Sequence, residues 1–297
     1  MTAVSVVVLA YNSADFMQGC LDALARSRGV EIQIICIDNA SCDNSHAIAE
    51  AHPATSLALR SETNLGYAGG NNLAIPHMAH EIIVFVNPDC RVEPDAIAHL
   101  VAPLRDDPTI AVTGALLLYP NSRRIQHAGG ILHPNAMSEH LGDRHEDAAE
   151  FRQDRDVDFV TGALVAFRRA DFTRLGGFDV EYWPAYYEET DLCVRLRREG
   201  RRVRYIGSAV GYHWESPGLV RHSARFVRTS YRSRLRFLVK NYTLGQWLTK
   251  FLPFETRWFL GPFARGFRLA VLRSYASGFM FALQCLLRLS RRPRGHR

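Results

Sequence analysis

Three acidic clusters in this 297-residue chain carry residue types that could do chemistry. The densest is Glu188-Glu189-Thr190-Asp191, three carboxylates in four residues, preceded by Tyr182-Trp183-Pro184-Ala185-Tyr186-Tyr187. Acids in the first turn of a helix are stabilised by its dipole. Aromatic rings beside carboxylates also suit a site that stacks a sugar ring, or another flat apolar face, and takes a proton from a hydroxyl. The second cluster is Asn87-Pro88-Asp89, where one carboxylate follows the apolar run Glu81-Ile82-Ile83-Val84-Phe85-Val86. Mg²⁺ typically takes one or two carboxylates plus substrate phosphates; the plain alternative is a turn. The third is Asp38, after Ile32-Gln33-Ile34-Ile35-Cys36-Ile37. Its carboxylate can accept from a pyrimidine N–H or a ribose hydroxyl, or simply close an Asx-turn. His213, after Gly207-Ser208-Ala209-Val210-Gly211-Tyr212, could complete a metal site with Asp89.

A glycine-rich stretch, Asn64-Leu65-Gly66-Tyr67-Ala68-Gly69-Gly70-Asn71-Asn72, precedes a helix. Glycines let backbone approach a ligand, and helix N-termini favour phosphate. The spacing is neither a dinucleotide-binding GxGxxG nor a Walker A loop.

The elements that must hold these residues alternate. Val4-Ser5-Val6-Val7-Val8-Leu9 reads as a strand buried on both faces. Phe16, Met17, Cys20, Leu21 and Leu24 follow at helical spacing, with Asn12 and Ser13 able to cap. Further strands are expected at 32–37, 57–59 and 81–86, separated by helical segments, which implies right-handed βαβ units and a parallel sheet. Ligands in such sheets bind beyond the carboxyl ends of the strands. Those ends are Ala10-Tyr11-Asn12, Asp38-Asn39 and Asn87-Pro88-Asp89. Beyond residue 110, strands are expected at Val112 to Leu118, Phe159 to Phe167 and Val203 to Ile206, and a helix at 187–199.

Composition narrows the class. Hydrophobic residues make up 47% and charged residues 22%, enough to exclude a disordered or fibrous chain. The net charge of +6 hides an asymmetry: residues 219–297 hold 17 Lys+Arg and one acid, Glu255, for a balance of +16, against −10 for residues 1–218. In residues 224–290, arginines alternate with aromatic and aliphatic residues at helical spacing, and Pro253, Gly261 and Pro262 are expected to break the segment into at least two helices. Such basic amphipathic helices suit an anionic membrane surface. A nucleic-acid partner is not expected, because no recognised module accompanies the charge. The six cysteines form no CxxC pair, no leader-like segment opens the chain, and no stretch of 18 residues lacks polar interruption. The expected location is therefore cytoplasmic, peripheral at the inner face of the cell membrane. Oligomeric state is left open.

In order along residues 3–215, Ala10-Tyr11-Asn12, Ile37-Asp38-Asn39-Ala40-Ser41, the glycine-rich stretch, Val86-Asn87-Pro88-Asp89, Thr161-Gly162-Ala163, Gly176-Gly177-Phe178-Asp179, Glu188-Glu189-Thr190-Asp191-Leu192 and His213 resemble the motifs of family 2 glycosyltransferases, and among them rhamnosyltransferase-like proteins. The resemblance implies an α/β GT-A fold: a mostly parallel, Rossmann-like sheet flanked by helices, with a C-terminal basic helical appendage. Residues 1–218 would form the transferase domain, divided into a nucleotide-sugar half (1–110) and an acceptor half (111–218), and 219–297 the membrane-associating tail.

It also implies roles. Ala10, Tyr11, Asn12, Asp38, Asn64, Gly69, Gly70, Asn71, Asn87 and Asp89 would bind a nucleotide diphosphate sugar, dTDP-rhamnose as first choice. Asp89 and His213 would hold Mg²⁺ or Mn²⁺, Asn87 standing where the family's DxD motif has its first acid. Glu189 would be the base of an inverting transfer, supported by Glu188 and Asp191, although Glu-Glu in place of the usual Glu-Asp leaves open which glutamate serves. Thr161, Gly162, Ala163 and Trp183 would border the acceptor, a glycan or lipid-linked hydroxyl in bacterial cell-envelope polysaccharide synthesis. The alternative is a catalytically inactive nucleotide-sugar-binding or membrane-docking protein of the same fold.

Overall fold

The computed structural model describes residues 1–214, 223–260 and 262–290. The expected domain boundary at 218/219 and the helix break at Gly261 lie outside them. The chain divides into two compact units, Met1–Leu132 with Ser138–Pro184 and Glu188–Ser216, and His133–Met137 with Ala185–Tyr187 and Pro217–Arg297.

The first unit runs β1 (Thr2–Ala10), α1 (Ala14–Ala25), β2 (Val30–Asp38), α2 (Ser45–Ala51), β3 (Thr55–Arg60), α3 (Gly66–Asn72), β4 (Ile82–Val86), β5 (Cys90–Val92) and α4 (Ala96–Asp106). It continues through β6 (Ile110–Leu118), β7 (Ile125–His127), β8 (Gly130–Leu132), β9 (Ser138–His140), β10 (Arg155–Asp156), β11 (Leu164–Arg168), α5 (Arg169–Arg174), α6 (Glu188–Arg198) and β12 (Arg202–His213). Among the described residues the sheet is ordered β10-β12-β6-β11-β4-β1-β2-β3, with β5 on β12 and β7 on β6. β1, β2, β3 and β4 are parallel neighbours, and β12 is parallel to β6. β11 is antiparallel to both β4 and β6, so β6 and β12 point the same way as β1 to β4. The C-terminal ends of those strands therefore share one edge of the sheet. It is a mixed sheet, its one long reversed strand lying in the middle.

Both faces are covered, which explains the unbroken β-branched strands. Val4, Val6 and Val8 of β1 pack with Met17, Leu21 and Leu24 of α1 and Ile97, Leu100 and Leu104 of α4. Val7 points the other way, into a core with Ile83, Phe85, Val165, Phe167, Leu192 and Leu196. In that second core Phe85 lies 5.1 Å from Phe172 and 5.0 Å from Phe178, ring centre to ring centre. Burying each such ring contributes roughly 1.5–3 kcal/mol, which anchors the Gly176-Gly177-Phe178 turn.

The expected strand over 159–167 starts later, at Leu164. Phe159 instead forms an isolated bridge with Gly130, and the main-chain N–H of Asn87 donates to the Ala163 carbonyl at 3.0 Å. Thr161-Gly162-Ala163 thus lies against the end of β4. The expected strand at Val203 to Ile206 is part of a longer one, β12, which continues to His213 with a register shift between Ile206 and Val210.

The second unit contains α7 (Ala224–Asn241), α8 (Leu244–Gln246), α9 (Leu252–Leu260) and α10 (Pro262–Ser290), with a π-turn at Trp247–Phe251. The helices part at Tyr242-Thr243, not at Pro253. Thr243 forms a capping box with Gln246, while Pro253 sits in the first turn of α9. Val227, Tyr231 and Val271 form a small core. Arg234 is 1% exposed, and its guanidinium reaches both oxygens of Glu255 at 2.9 and 2.6 Å; Asn135 Nδ2 donates to the same carboxylate at 3.0 Å. Within this unit Tyr187 Oη donates to the Ala136 carbonyl at 2.7 Å, and Ser233 Oγ donates to the Ala185 carbonyl at 3.0 Å.

Candidate active site

The shared strand edge gathers the expected donor-side residues. Ala10 and Asp38 are register partners at the ends of β1 and β2. Asp38 is buried; its Oδ2 accepts from the Ser41 N–H at 3.3 Å and faces Arg60 Nε at 3.3 Å. Its Oδ1 is buried with no hydrogen-bond partner among the described residues. A buried carboxylate oxygen without a donor is costly, and this atom can accept one N–H or O–H. Tyr11, next in sequence to Ala10, is 49% exposed.

Other members of the expected donor set are occupied by the fold itself. Asn12 Oδ1 accepts from the Cys42 N–H at 2.8 Å, Asn64 Oδ1 from the Gly66 N–H at 2.8 Å, and Asn71 Nδ2 donates to the Tyr67 carbonyl at 3.0 Å. The glycines serve close packing. A Cβ on Gly70 would stand 2.4 Å from Leu9 Cδ1, and one on Gly69 2.9 Å from Leu65 Cβ. Gly66 has φ +71°, and a Cβ there would lie 2.7 Å from the Pro184 carbonyl oxygen.

Asp89 and His213 meet because β5 pairs with the end of β12, placing Cys90 opposite His213. Asp89 Oδ1 lies 3.2 Å from His213 Nε2, Asn87 Nδ2 lies 3.4 Å from the same nitrogen, and Gln126 Oε1 lies 2.7 Å from Nδ1. Converging carboxylate and imidazole donors fit a divalent cation. Among the described residues no group of three or more His, Cys, Asp or Glu gathers to hold a metal ion. The protein would supply two donors, leaving the other positions to water and phosphate, as is usual for Mg²⁺.

The acidic helix start is α6. Glu188 is buried and Glu189 partly so. Removal of the Glu189 carboxyl from water pushes its pKa from 4.5 up to about 7, opposed by main-chain N–H groups at the helix start and by Thr190. Asp191 is engaged elsewhere: Oδ1 accepts from Tyr182 Oη at 3.0 Å and Oδ2 from Arg195 Nε at 2.7 Å. Arg195 in turn donates to the carbonyls of Leu175 and Gly177 at 3.0 and 3.2 Å. That is a positioning role. Trp183 is 49% exposed, and its Nε1 donates to the Asn64 carbonyl at 3.2 Å, joining an expected acceptor residue to an expected donor residue. Thr161 is partly exposed, whereas Gly162 and Ala163 are buried.

Two residues that join these pieces were not singled out from sequence. Tyr67 Oη donates to the Gly162 carbonyl at 2.7 Å, and burial together with the nearby Glu189 and Glu188 charges holds its pKa well above the usual phenol range. Asn39 Nδ2 reaches Asn64 Oδ1 at 3.1 Å and the Gly66 carbonyl at 3.2 Å, while its Oδ1 accepts from the Leu65 N–H at 2.9 Å. Both stand inside motifs that were noticed, so a polar residue buried within a motif was the available signal.

A family model described as Glycosyl transferase family 2 matches residues 5–176. An uncharacterised protein of Sinorhizobium fredii is 24% identical over 250 residues, covering 80% of this chain but only 27% of that protein's length. The N-acetylglucosaminyl-diphospho-decaprenol L-rhamnosyltransferase of Mycobacterium tuberculosis is 25% identical over 268 residues, 82% of this chain and 85% of that protein. A mannosyltransferase of Pyrobaculum calidifontis, solved in complex with GDP-Man and Mn2+, superposes with a TM-score of 0.60 at 20% identity, over 92% of this chain and 73% of that one, and so shares its fold. With its strand-edge carboxylates, GT-A architecture and a family match over more than half its length, the chain belongs to glycosyl transferase family 2.

Proposed function

We propose that the protein is an inverting glycosyltransferase that moves a sugar from a nucleotide diphosphate sugar to a hydroxyl of a glycan or lipid-linked acceptor, in bacterial cell-envelope polysaccharide synthesis. The observation that carries the reading is Glu189, a carboxylate with its pKa raised to about 7 in the acidic start of α6, in the same unit as Asp38 and Asp89. A base with a pKa near the working pH combines the correct protonation state with useful proton affinity.

In this reading Asp38 Oδ1 accepts the ring N–H of the base. Glu189 takes the proton of the acceptor hydroxyl as its oxygen attacks the anomeric carbon. The bond from that carbon to the diphosphate oxygen breaks, its electron pair leaves with the diphosphate, and a single displacement inverts the configuration. Asp89 and His213 are the residues that would hold Mg²⁺ or Mn²⁺; a bound cation offsets charge on the leaving diphosphate. Glu188 precedes Glu189 in the same acidic helix start. Trp183 and Thr161-Gly162-Ala163 border the acceptor.

Rhamnose is the preferred sugar and dTDP the preferred carrier, supported by the mycobacterial relative, whose name gives it as an L-rhamnosyltransferase. No helix among the described residues is long and apolar enough to cross a membrane. Leu244, Leu248, Leu252 and Phe254 are exposed alongside Lys250 and Arg257, which supports peripheral attachment to an anionic surface on the cytoplasmic side.

A thermal-shift screen of dTDP-rhamnose, UDP-hexoses and GDP-mannose with Mn²⁺ tests the donor. Ligand at about 100 times its Kd stabilises by about 2.7 kcal/mol, so the true donor raises Tm. No shift with any nucleotide sugar would reject the reading.

A further inference from the structure

Gln126 meets His213 through both ends of its amide. It lies in β7, 3% exposed, and both β7 and β12 pair with β6. Its Nε2 donates to the main-chain carbonyl of His213 at 3.3 Å. A carbonyl only accepts, so this bond fixes the orientation of the amide. The other end, Oε1, then meets His213 Nδ1 at 2.7 Å. An amide oxygen also only accepts, so Nδ1 carries the hydrogen. In the neutral ring the remaining nitrogen, Nε2, keeps its lone pair, and this is the atom 3.2 Å from Asp89 Oδ1. Asn87 Nδ2, an amide donor 3.4 Å from Nε2, agrees with that assignment.

We infer that Gln126 is a positioning residue: gripping both the ring and the main chain of His213, it holds the imidazole with hydrogen on Nδ1, so that Nε2 joins Asp89 as a donor to a divalent cation. This rests on the metal reading of Asp89 and His213. Metal-ligating histidines commonly donate their second N–H to a fixed acceptor, and loss of that acceptor typically weakens metal binding about 10–100-fold. In most such sites the acceptor is a carboxylate or carbonyl; here it is a buried neutral amide tied to the same histidine.

The test uses the full chain and two readouts: the His213 tautomer by long-range ¹H–¹⁵N correlation, its signals assigned by their loss in His213→Ala, and the affinity for Mn²⁺ alone by calorimetry. Wild type shows the Nδ1–H pattern. Gln126→Leu, which removes the acceptor, loses that pattern and binds Mn²⁺ about 10–100-fold more weakly. Gln126→Glu keeps an acceptor at Nδ1 but loses the donor to the main-chain carbonyl, so it keeps the pattern and weakens Mn²⁺ binding less than Gln126→Leu does. If His213→Ala weakens Mn²⁺ binding but Gln126→Leu does not, the inference is overturned and the metal reading stands. Equal weakening in the Leu and Glu variants with the tautomer unchanged marks Gln126 as merely structural and also overturns it. Unchanged Mn²⁺ affinity in His213→Ala removes the metal reading itself, and the inference with it.

Discussion

The Tyr67 hydroxyl donates to the Gly162 carbonyl at 2.7 Å, joining α3 to the turn that leads into β11. The contact is so close that a Cβ on Gly162 would lie 2.5 Å from the phenolic oxygen. Burial, with the Glu189 and Glu188 charges adding to it, raises the pKa of the same phenol, so one side chain links the glycine-rich motif, the Thr-Gly-Ala segment and the acidic pair.

Tyr67→Phe keeps the ring and removes the donor, leaving a buried carbonyl. Stability should fall by about 1 kcal/mol, the usual worth of such a bond, read as a lower midpoint in urea with an unchanged slope. An unchanged midpoint would mean that the bond contributes nothing to the fold.

The raised pKa of Glu189 makes two pH predictions. Transfer should decline as pH falls through about 7, because the protonated carboxyl cannot accept a proton. Stability moves in the opposite sense. A carboxyl whose folded pKa lies above its unfolded value of 4.5 binds more protons when folded, so its contribution is present at low pH and is lost as pH rises from about 4.5 through 7. Glu189→Gln, which cannot ionise, should therefore be more stable than wild type at pH 8 and lose that advantage at pH 4. Thermal melts at the two pH values decide this.

Asp191 is predicted to support structure. Asp191→Ala strands Arg195 and Tyr182, and releases the ties from Arg195 to Leu175 and Gly177. Breaking a buried pair costs about 3–5 kcal/mol; Arg195 keeps 25% side-chain exposure, so about 2–3 kcal/mol is expected. A variant with full stability but no transfer would return Asp191 to the chemistry.

The strand ends that carry the candidate site were legible because the sheet is covered on both faces. Uninterrupted apolar strands such as Val4 to Leu9 stop abruptly, and the polar residues at their ends, Asp38 and Asp89, are where strand-end sites form. Less was legible where a side chain serves the fold. Asn12, Asn64 and Asn71 look like ligand-binding amides in sequence, yet each satisfies a nearby main-chain group. Gly69 and Gly70 resemble a phosphate cradle, yet Leu65 and Leu9 occupy the space that a side chain would need. Gln126 gave no signal, because its partner His213 is distant in sequence and the pairing depends on two strands flanking β6. Pro253 misled as a helix breaker because its missing N–H falls in a first turn, where it is tolerated.

The exposed apolar residues of the second unit allow a membrane test. Replacing Leu248, Leu252 and Phe254 with serine should reduce sedimentation with anionic vesicles while leaving thermal stability nearly unchanged, since all three are exposed. Equal sedimentation of variant and wild type would remove the proposed membrane face.

The central claim is that Glu189 is the transfer base. The direct measurement is the single-turnover rate of Glu189→Gln with the donor identified by the thermal screen and a hydroxyl acceptor, alongside calorimetric donor binding. Loss of about 10²–10⁴-fold in rate with donor affinity intact is predicted, the usual range for a general base. A wild-type rate in that variant would contradict the account.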